Sequence, residues 1–221
     1  MIELSTWNLC IPVGTPAMTI DTAQLLDGYQ DDYFSPGNTL TFWAPVTGST
    51  TANAKYPRSE LRETKDGCLH NWSCADAHHF LRAALQVTQV PASGKIVIGQ
   101  IHCANSTQPL LKVEYQYKSA TQNGEIVAKF RRSPDAEIEV ISLAQRIALR
   151  QRFSYSLHLS PGGTLSVNTC DQHWEASLDR QWQGLPLYFK AGVYTQDNTG
   201  CDTDGGRATF YELSIEHRPR A

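Results

Sequence analysis

The sequence has no apolar run approaching the ~20 residues that cross a bilayer as a helix, which excludes a membrane-spanning helix. It also lacks a broad basic field: 19 Lys and Arg stand against 22 Asp and Glu, a formal charge of −3 with a pI near 6.1. Neither nucleic acid nor a membrane surface is therefore an expected partner. There is no Gly-x-Ser-x-Gly elbow and no Cys-x-x-Cys pair. The opening MIELSTWNLC has no basic-then-apolar layout of a signal peptide. The expected location is secreted or periplasmic with the leader absent from this chain, a leaderless intracellular form being the alternative. Helical pattern is scarce too: only TAQLLDGY (22 to 29) suggests a helix, and it is short.

What is present is β-sequence. TLTFWAPV (39 to 46), HFLRAALQVTQV (79 to 90), KIVIGQIHC (95 to 103), LLKVEYQYK (110 to 118) and EIVAKFRR (125 to 132) are rich in β-branched and aromatic residues. RFSYSLHLS (152 to 160), TLSVNTC (164 to 170) and RATFYELSIEHR (207 to 218) continue the pattern, with turn signals such as Asn123-Gly124 and Gly205-Gly206 between them. With 221 residues and no linker or repeat, the expectation is one all-β domain over 1–221, a β-jelly-roll sandwich of two antiparallel sheets.

Successive side chains of a strand point to opposite faces, and three segments use that alternation unusually. In LYFKAGVYTQ (187 to 196), Tyr188, Lys190, Gly192, Tyr194 and Gln196 share one face, while Leu187, Phe189, Ala191, Val193 and Thr195 share the other. In YPRSELRE (56 to 63), Arg58, Glu60 and Arg62 project together; in VIGQIHC (97 to 103), Gln100 and His102 do. LLKVEYQYK repeats the theme more faintly through Lys112, Glu114 and Gln116. Each segment alone could be an ordinary solvated face. Brought side by side, they make a floor of guanidinium, amide, imidazole, phenol and ammonium, suited to a carboxylated, hydroxylated polymer.

Cysteine and histidine gather in CLHNWSCADAHH (68 to 79), which holds Cys68, His70, Cys74, His78 and His79. Zinc-finger spacing is absent, so a Cys68–Cys74 disulfide or free thiols are preferred over a metal, and no metal or cofactor is expected. Cys103 belongs with Ile101 in the core. Asn71 and Asn105 open Asn-x-Ser/Thr sequons. The five tryptophans are scattered and read as packing residues.

RSELRE (58 to 63), QIH (100 to 102) and YFKAGVYTQ (188 to 196), in that order and spacing, resemble the three signature segments of the alginate lyases of polysaccharide lyase family 7. LSTWNLCIP (4 to 12) resembles the N-terminal strand of the smaller members, so the likeness covers essentially the whole chain. Departures are Thr195, where Asn is frequent, and Cys10, where Thr or another polar residue is; neither is placed on the polar face of the three segments. The resemblance implies a jelly-roll with a concave groove, and β-elimination on alginate or a related polyuronate by a monomer without a cofactor, in endolytic mode.

Elimination from a 4-linked uronate removes a C5 proton that is poorly acidic while the adjacent carboxylate keeps its charge. Arg58 is expected to neutralise that carboxylate, with Gln100 and His102 as further donors. The resemblance assigns proton transfer to Tyr194, with His102 as partner or as the base for one epimer. Cationic neighbours are expected to favour the Tyr194 phenolate, giving an alkaline optimum. Glu60, Arg62, Lys112, Tyr188, Lys190 and Gln196 are expected to bind substrate, Glu60 by orienting Arg58, Arg62 or Lys190. Segments 47 to 55 and 197 to 206 are candidate walls. Ile101 tends to accompany acceptance of guluronate in the family, yet its alternation places it away from the groove. The competing readings are a uronate-binding module or lectin, which would stack sugars on Tyr188 and Tyr194, and a lyase for another polyuronate such as glucuronan. A hydrolase would want two carboxylates about 5–10 Å apart, and the polar faces offer only Glu60 with Glu114 less securely placed.

Overall fold

Alternating sequence becomes two stacked antiparallel sheets in the computed structural model, which describes residues 1–220. Among them lie sixteen strands. The first eight are β1 (Trp7–Ile11), β2 (Met18–Ile20), β3 (Phe34–Ser35), β4 (Leu40–Pro45), β5 (Arg58–Lys65), β6 (Cys68–Leu69), β7 (Ala77–Gln89) and β8 (Lys95–Cys103). The remainder are β9 (Leu111–Lys118), β10 (Asn123–Phe130), β11 (Glu139–Ile147), β12 (Phe153–Leu159), β13 (Thr164–Thr169), β14 (Gln172–Ser177), β15 (Leu187–Thr195) and β16 (Gly205–Pro219). One sheet runs β11-β10-β9-β8-β15-β5-β1-β2, with β6 attached to β5; the other runs β14-β13-β12-β7-β16-β4-β3.

This is the jelly-roll sandwich that the strand pattern predicts. The helix is shorter than its sequence pattern: α1 (Thr22–Leu26) is one capped turn, in which the Asp21 side chain accepts from the Gln24 N–H and Gln24 reaches back to the Asp21 N–H. Five strands lie outside the sequence reading: β2, β3 and β6, which are only two or three residues long, and β11 and β14. The last two sit at sheet edges with mostly exposed side chains, so they carry little apolar alternation to read.

Between the sheets lies one continuous apolar core that includes Leu61, Ile101, Phe189, Ala191 and Val193, the apolar partners of the polar-faced strands. Burying that set fixes each strand's register, because a slip of one residue would turn the polar set inward. Cys103 is buried there as expected, and Trp7, Trp72 and Trp182 are core residues. All six cysteines are free thiols; Cys68 is exposed and Cys74 buried, so the Cys68–Cys74 disulfide is not formed.

Two local devices shape the groove sheet. In β8 a bulge between Val97 and Gly99 is held from the opposite sheet by the Tyr155 hydroxyl, which donates to the Ile98 carbonyl at 2.8 Å. In β15, Gly192 has φ of +143°, and a Cβ there would lie 2.7 Å from the Ser59 carbonyl oxygen and 2.8 Å from the Glu60 Cα. Only glycine lets β15 approach β5 so closely at that residue.

Candidate active site

Pairing registers alone assemble the site. Lys112, Gln100, Lys190, Arg62 and Asn8 stand directly beside one another across β9, β8, β15, β5 and β1. A neighbouring row runs Gly192, Glu60, Cys10 and Thr19 across β15, β5, β1 and β2. Tyr188 is paired with His102, and Tyr194 with Arg58. Apart from Gly192, which has no side chain, the residues of both rows and both pairs line a groove of about 500 Å³. Nine of the ten residues singled out in the sequence are on it; Gln196 is not. Gln196 lies one residue beyond the end of β15, where its side-chain amide donates to the carbonyls of Tyr194 and Thr195, so the alternation no longer governs it.

Glu60 is the hub. It is fully buried, and its Oε2 takes the Arg58 guanidinium at 3.0 Å and the Lys190 ammonium, while its Oε1 accepts from the Gln100 amide. It thus orients Arg58 and Lys190, and not Arg62. Burial and the Arg58 charge push the Lys190 ammonium down to about 8, and Glu60 opposes them. Arg62 is held otherwise: it donates to the carbonyls of Glu63 and His70 and to Asn71 Oδ1, and lies 3.8 Å over the Tyr188 ring. The groove therefore carries four fixed cations, Arg58, Arg62, Lys112 and Lys190, against one lining carboxylate, Glu60, on a chain that is acidic overall. Glu114 lies off the groove, paired with Lys129 at 2.9 Å.

His102 and Tyr194 differ from expectation in an informative way. The His102 Nδ1 meets the Cys103 carbonyl at 2.9 Å, and a carbonyl can only accept, so the ring proton sits on Nδ1. Burial and Lys190 bring the imidazole down to about 4, so near neutrality it is uncharged with a free lone pair on Nε2. Its Nε2 is thus an acceptor, and not the further donor expected from sequence. For Tyr194, burial outweighs Arg58, whose guanidinium lies 3.9 Å over the ring, and the phenol is pushed up, not down. That shift is opposite to the lowering that a resting phenolate needs.

Sequence reasoning missed several lining residues. Cys10 is among them, projecting beside Glu60; the register of β1 on β5 puts it there, and no pattern in LSTWNLCIP reveals that pairing. One wall comes from Thr51, Asn53 and Ala54, within the segment 47 to 55. The other comes from Ser106, Thr107 and Pro109, in the β8–β9 connection, and not from 197 to 206.

Comparison with known proteins gives the class to which this jelly-roll groove belongs. The chain belongs to the alginate lyase family: the family model described as Alginate lyase matches residues 2–217. An alginate lyase from Klebsiella pneumoniae is 30% identical over 279 residues, covering 97% of this chain and 89% of that protein. The crystal structure of an alginate lyase from Pseudomonas aeruginosa superposes with a TM-score of 0.94 at 45% identity, over 98% of this chain and 100% of that one. Alginate lyase A1-II′, a member of polysaccharide lyase family 7, gives a TM-score of 0.87 at 31% identity, over 99% of this chain and 97% of that one. The protein is thus a polysaccharide lyase, and the binding-module alternative falls.

Proposed function

We propose that the groove cleaves alginate endolytically by β-elimination, with Arg58, Gln100, His102 and Tyr194 as the reacting set. The observation that carries this is the pairing of a deprotonated imidazole nitrogen with a protonated phenol in one cationic groove. Arg58, Lys190 and Gln100, preset by Glu60, meet the uronate carboxylate and stabilise the charge that builds on it as C5 loses its proton. His102 Nε2 takes that proton, the C5 electron pair closes the C4=C5 double bond, the C4–O4 bond breaks, and Tyr194 protonates O4. The Arg58 guanidinium over the ring then stabilises the phenolate left behind, and exchange with water resets both groups.

Epimers at C5 present that hydrogen either on the face from which O4 leaves or on the opposite one. His102 and Tyr194 divide the work when the faces are opposite; when they coincide, Tyr194 first gives its hydroxyl proton to solvent, the phenolate beneath Arg58 takes the C5 proton, and the phenol so formed passes it to O4. A1-II′ bearing His-to-Asn and Tyr-to-Phe replacements was crystallised with a substrate designated GGMG, and a Tyr-to-Phe variant with a product designated GGG. Those complexes support polyuronate as the ligand class here. Ile101 is wholly buried in the core and can influence epimer choice only through Gln100 and His102.

Endolytic action is supported by the groove's reach. From Thr19 on β2 to Lys112 on β9 it crosses five strand spacings, about 24 Å, which accommodates several sugars of a chain lying across the sheet. The family match covers residues 2–217, which supports one catalytic domain, and we take it to act as a monomer. Product analysis on defined mannuronate and guluronate oligomers, with glucuronan as a parallel substrate, tests the reading. Unsaturated oligomers of mixed length from alginate are expected; unsaturated monomer alone from the outset would contradict endolysis, and cleavage of glucuronan alone would contradict the substrate.

A further inference from the structure

On the face of β5 opposite Arg62, a second polar cluster lies outside the groove. Glu63 is buried; its Oε2 accepts from the Trp72 indole N–H at 2.8 Å and the Phe189 backbone N–H at 2.9 Å. Its Oε1 faces His70 Nδ1 at 2.6 Å and His217 Nε2 at 2.8 Å. Behind these, His217 Nδ1 faces His79 Nδ1 at 2.6 Å, and His79 Nε2 faces the Ser73 carbonyl at 2.9 Å. Trp72 stacks on His79 with centroids 3.9 Å apart.

Counting protons exposes a vacancy in charge. The Ser73 carbonyl only accepts, so His79 carries its proton on Nε2 and, if neutral, offers a lone pair at Nδ1. His217 Nδ1 must then be the donor of that pair. A neutral His217 is left with a lone pair on Nε2, aimed at Glu63 Oε1, which also holds only lone pairs. Something positive belongs between them: a further proton, or a metal ion. His70 Nδ1 converges on the same oxygen, so three ligand atoms from three separate stretches of the chain lie within 4.8 Å of one another.

We propose that Glu63, His70 and His217 bind one divalent transition-metal ion of the zinc class, with His79 as the outer partner that fixes the His217 tautomer. Two imidazoles and a carboxylate are a borderline nitrogen and oxygen donor set suited to zinc. The arrangement His217 Nδ1–H to His79, and His79 Nε2–H to Ser73, is the kind of outer support that orients metal-bound histidines. Bonds of about 2.0–2.1 Å in a tetrahedron set ligand atoms about 3.3 Å apart, so the imidazoles draw back slightly from Glu63 on loading. His70 and His217 have room to do so, with side chains 25% and 24% exposed, and that opening admits a water as fourth ligand. On binding, the proton held between His217 Nε2 and Glu63 leaves to solvent, and the His70 proton moves to its Nε2.

The site would clip the segment 68–72 to β5 and β16. The Arg62 guanidinium donates to the carbonyls of Glu63 and His70 and to Asn71 Oδ1, so holding His70 in place makes it a positioning residue for Arg62 and the Tyr188 ring beneath it.

The test is titration of the chelator-treated full chain with Co²⁺, read by visible absorption, and with Zn²⁺, read by calorimetry. One equivalent should bind with micromolar affinity or better, giving the strong visible bands of four- or five-coordinate cobalt. His70→Ala, in the partly exposed connection after β6, and His217→Gln should each weaken binding by at least tenfold. The other close imidazole pair, His78 Nδ1 with His158 Nε2 at 3.0 Å, serves as the control. His158→Ala should leave the stoichiometric site intact. Absence of stoichiometric binding, or binding that survives His70→Ala and His217→Gln but is lost in His158→Ala, overturns the proposal and leaves a proton-bridged cluster. Metal binding is read without substrate, so its failure is distinct from failure of the lyase mechanism.

Discussion

At the scale of single residues, protonation states decide the chemistry. His102 is a usable base above about 4, where its imidazole is neutral, and Lys190 is an ammonium below about 8. The profile of kcat/KM against pH for a substrate that needs both groups should therefore rise through about 4, hold, and fall through about 8, a near-neutral optimum in place of the alkaline one a resting phenolate would give. Glu60→Gln removes the influence that raises the Lys190 pKa and leaves burial and Arg58, which lower it, so the alkaline limb should move to lower pH. A limb that stayed in place would show that it does not report Lys190. His102→Gln should cost about 10²–10⁴ in kcat on the epimer whose C5 hydrogen faces away from the leaving oxygen, and less on the other. Equal losses on defined mannuronate and guluronate oligomers would remove the division of labour.

At the scale of elements, three strands, β5, β8 and β15, carry the proposed reacting set, and a glycine lets two of them meet. Gly192→Ala places a methyl group against Ser59 and Glu60 at a positive φ, so it should cost about 1–3 kcal/mol and lower Tm by roughly 3–10 °C. Activity should fall further than stability, because Glu60 on the displaced strand holds Arg58 and Lys190. Thermal unfolding and kcat on the same preparation check this. The polar faces of β5, β8 and β15 were legible in the sequence because burying Leu61, Ile101 and Phe189 forces their alternating neighbours outward. Alternation fails at strand ends, as for Gln196, and on exposed edges, as for β11 and β14. It is also silent about which strands pair. Cys10 beside Glu60, and Glu63 bonded to a histidine 154 residues later, are products of pairing and packing between distant parts of the chain, which no local pattern encodes.

At the scale of the whole molecule, an acidic chain concentrates four cations in the groove of one sheet. Binding of a polyanion there should weaken as salt screens the groove, raising KM with ionic strength while kcat changes little; an unchanged KM would mean that the charges do not recognise the polymer. Solution viscosity should drop before much unsaturated product accumulates if the groove cuts within chains. The most direct test of the account follows the ultraviolet absorbance of the C4=C5 unsaturated uronate with alginate as substrate, comparing wild type with Tyr194→Phe verified as folded by circular dichroism. The account predicts a steady rise for the wild type and, because the ring remains while the proton-transfer oxygen is gone, a rate lower by about 10²–10⁴ for the variant. A folded Tyr194→Phe enzyme working at near wild-type rate, or a wild type that binds alginate and forms no unsaturated product, would contradict it.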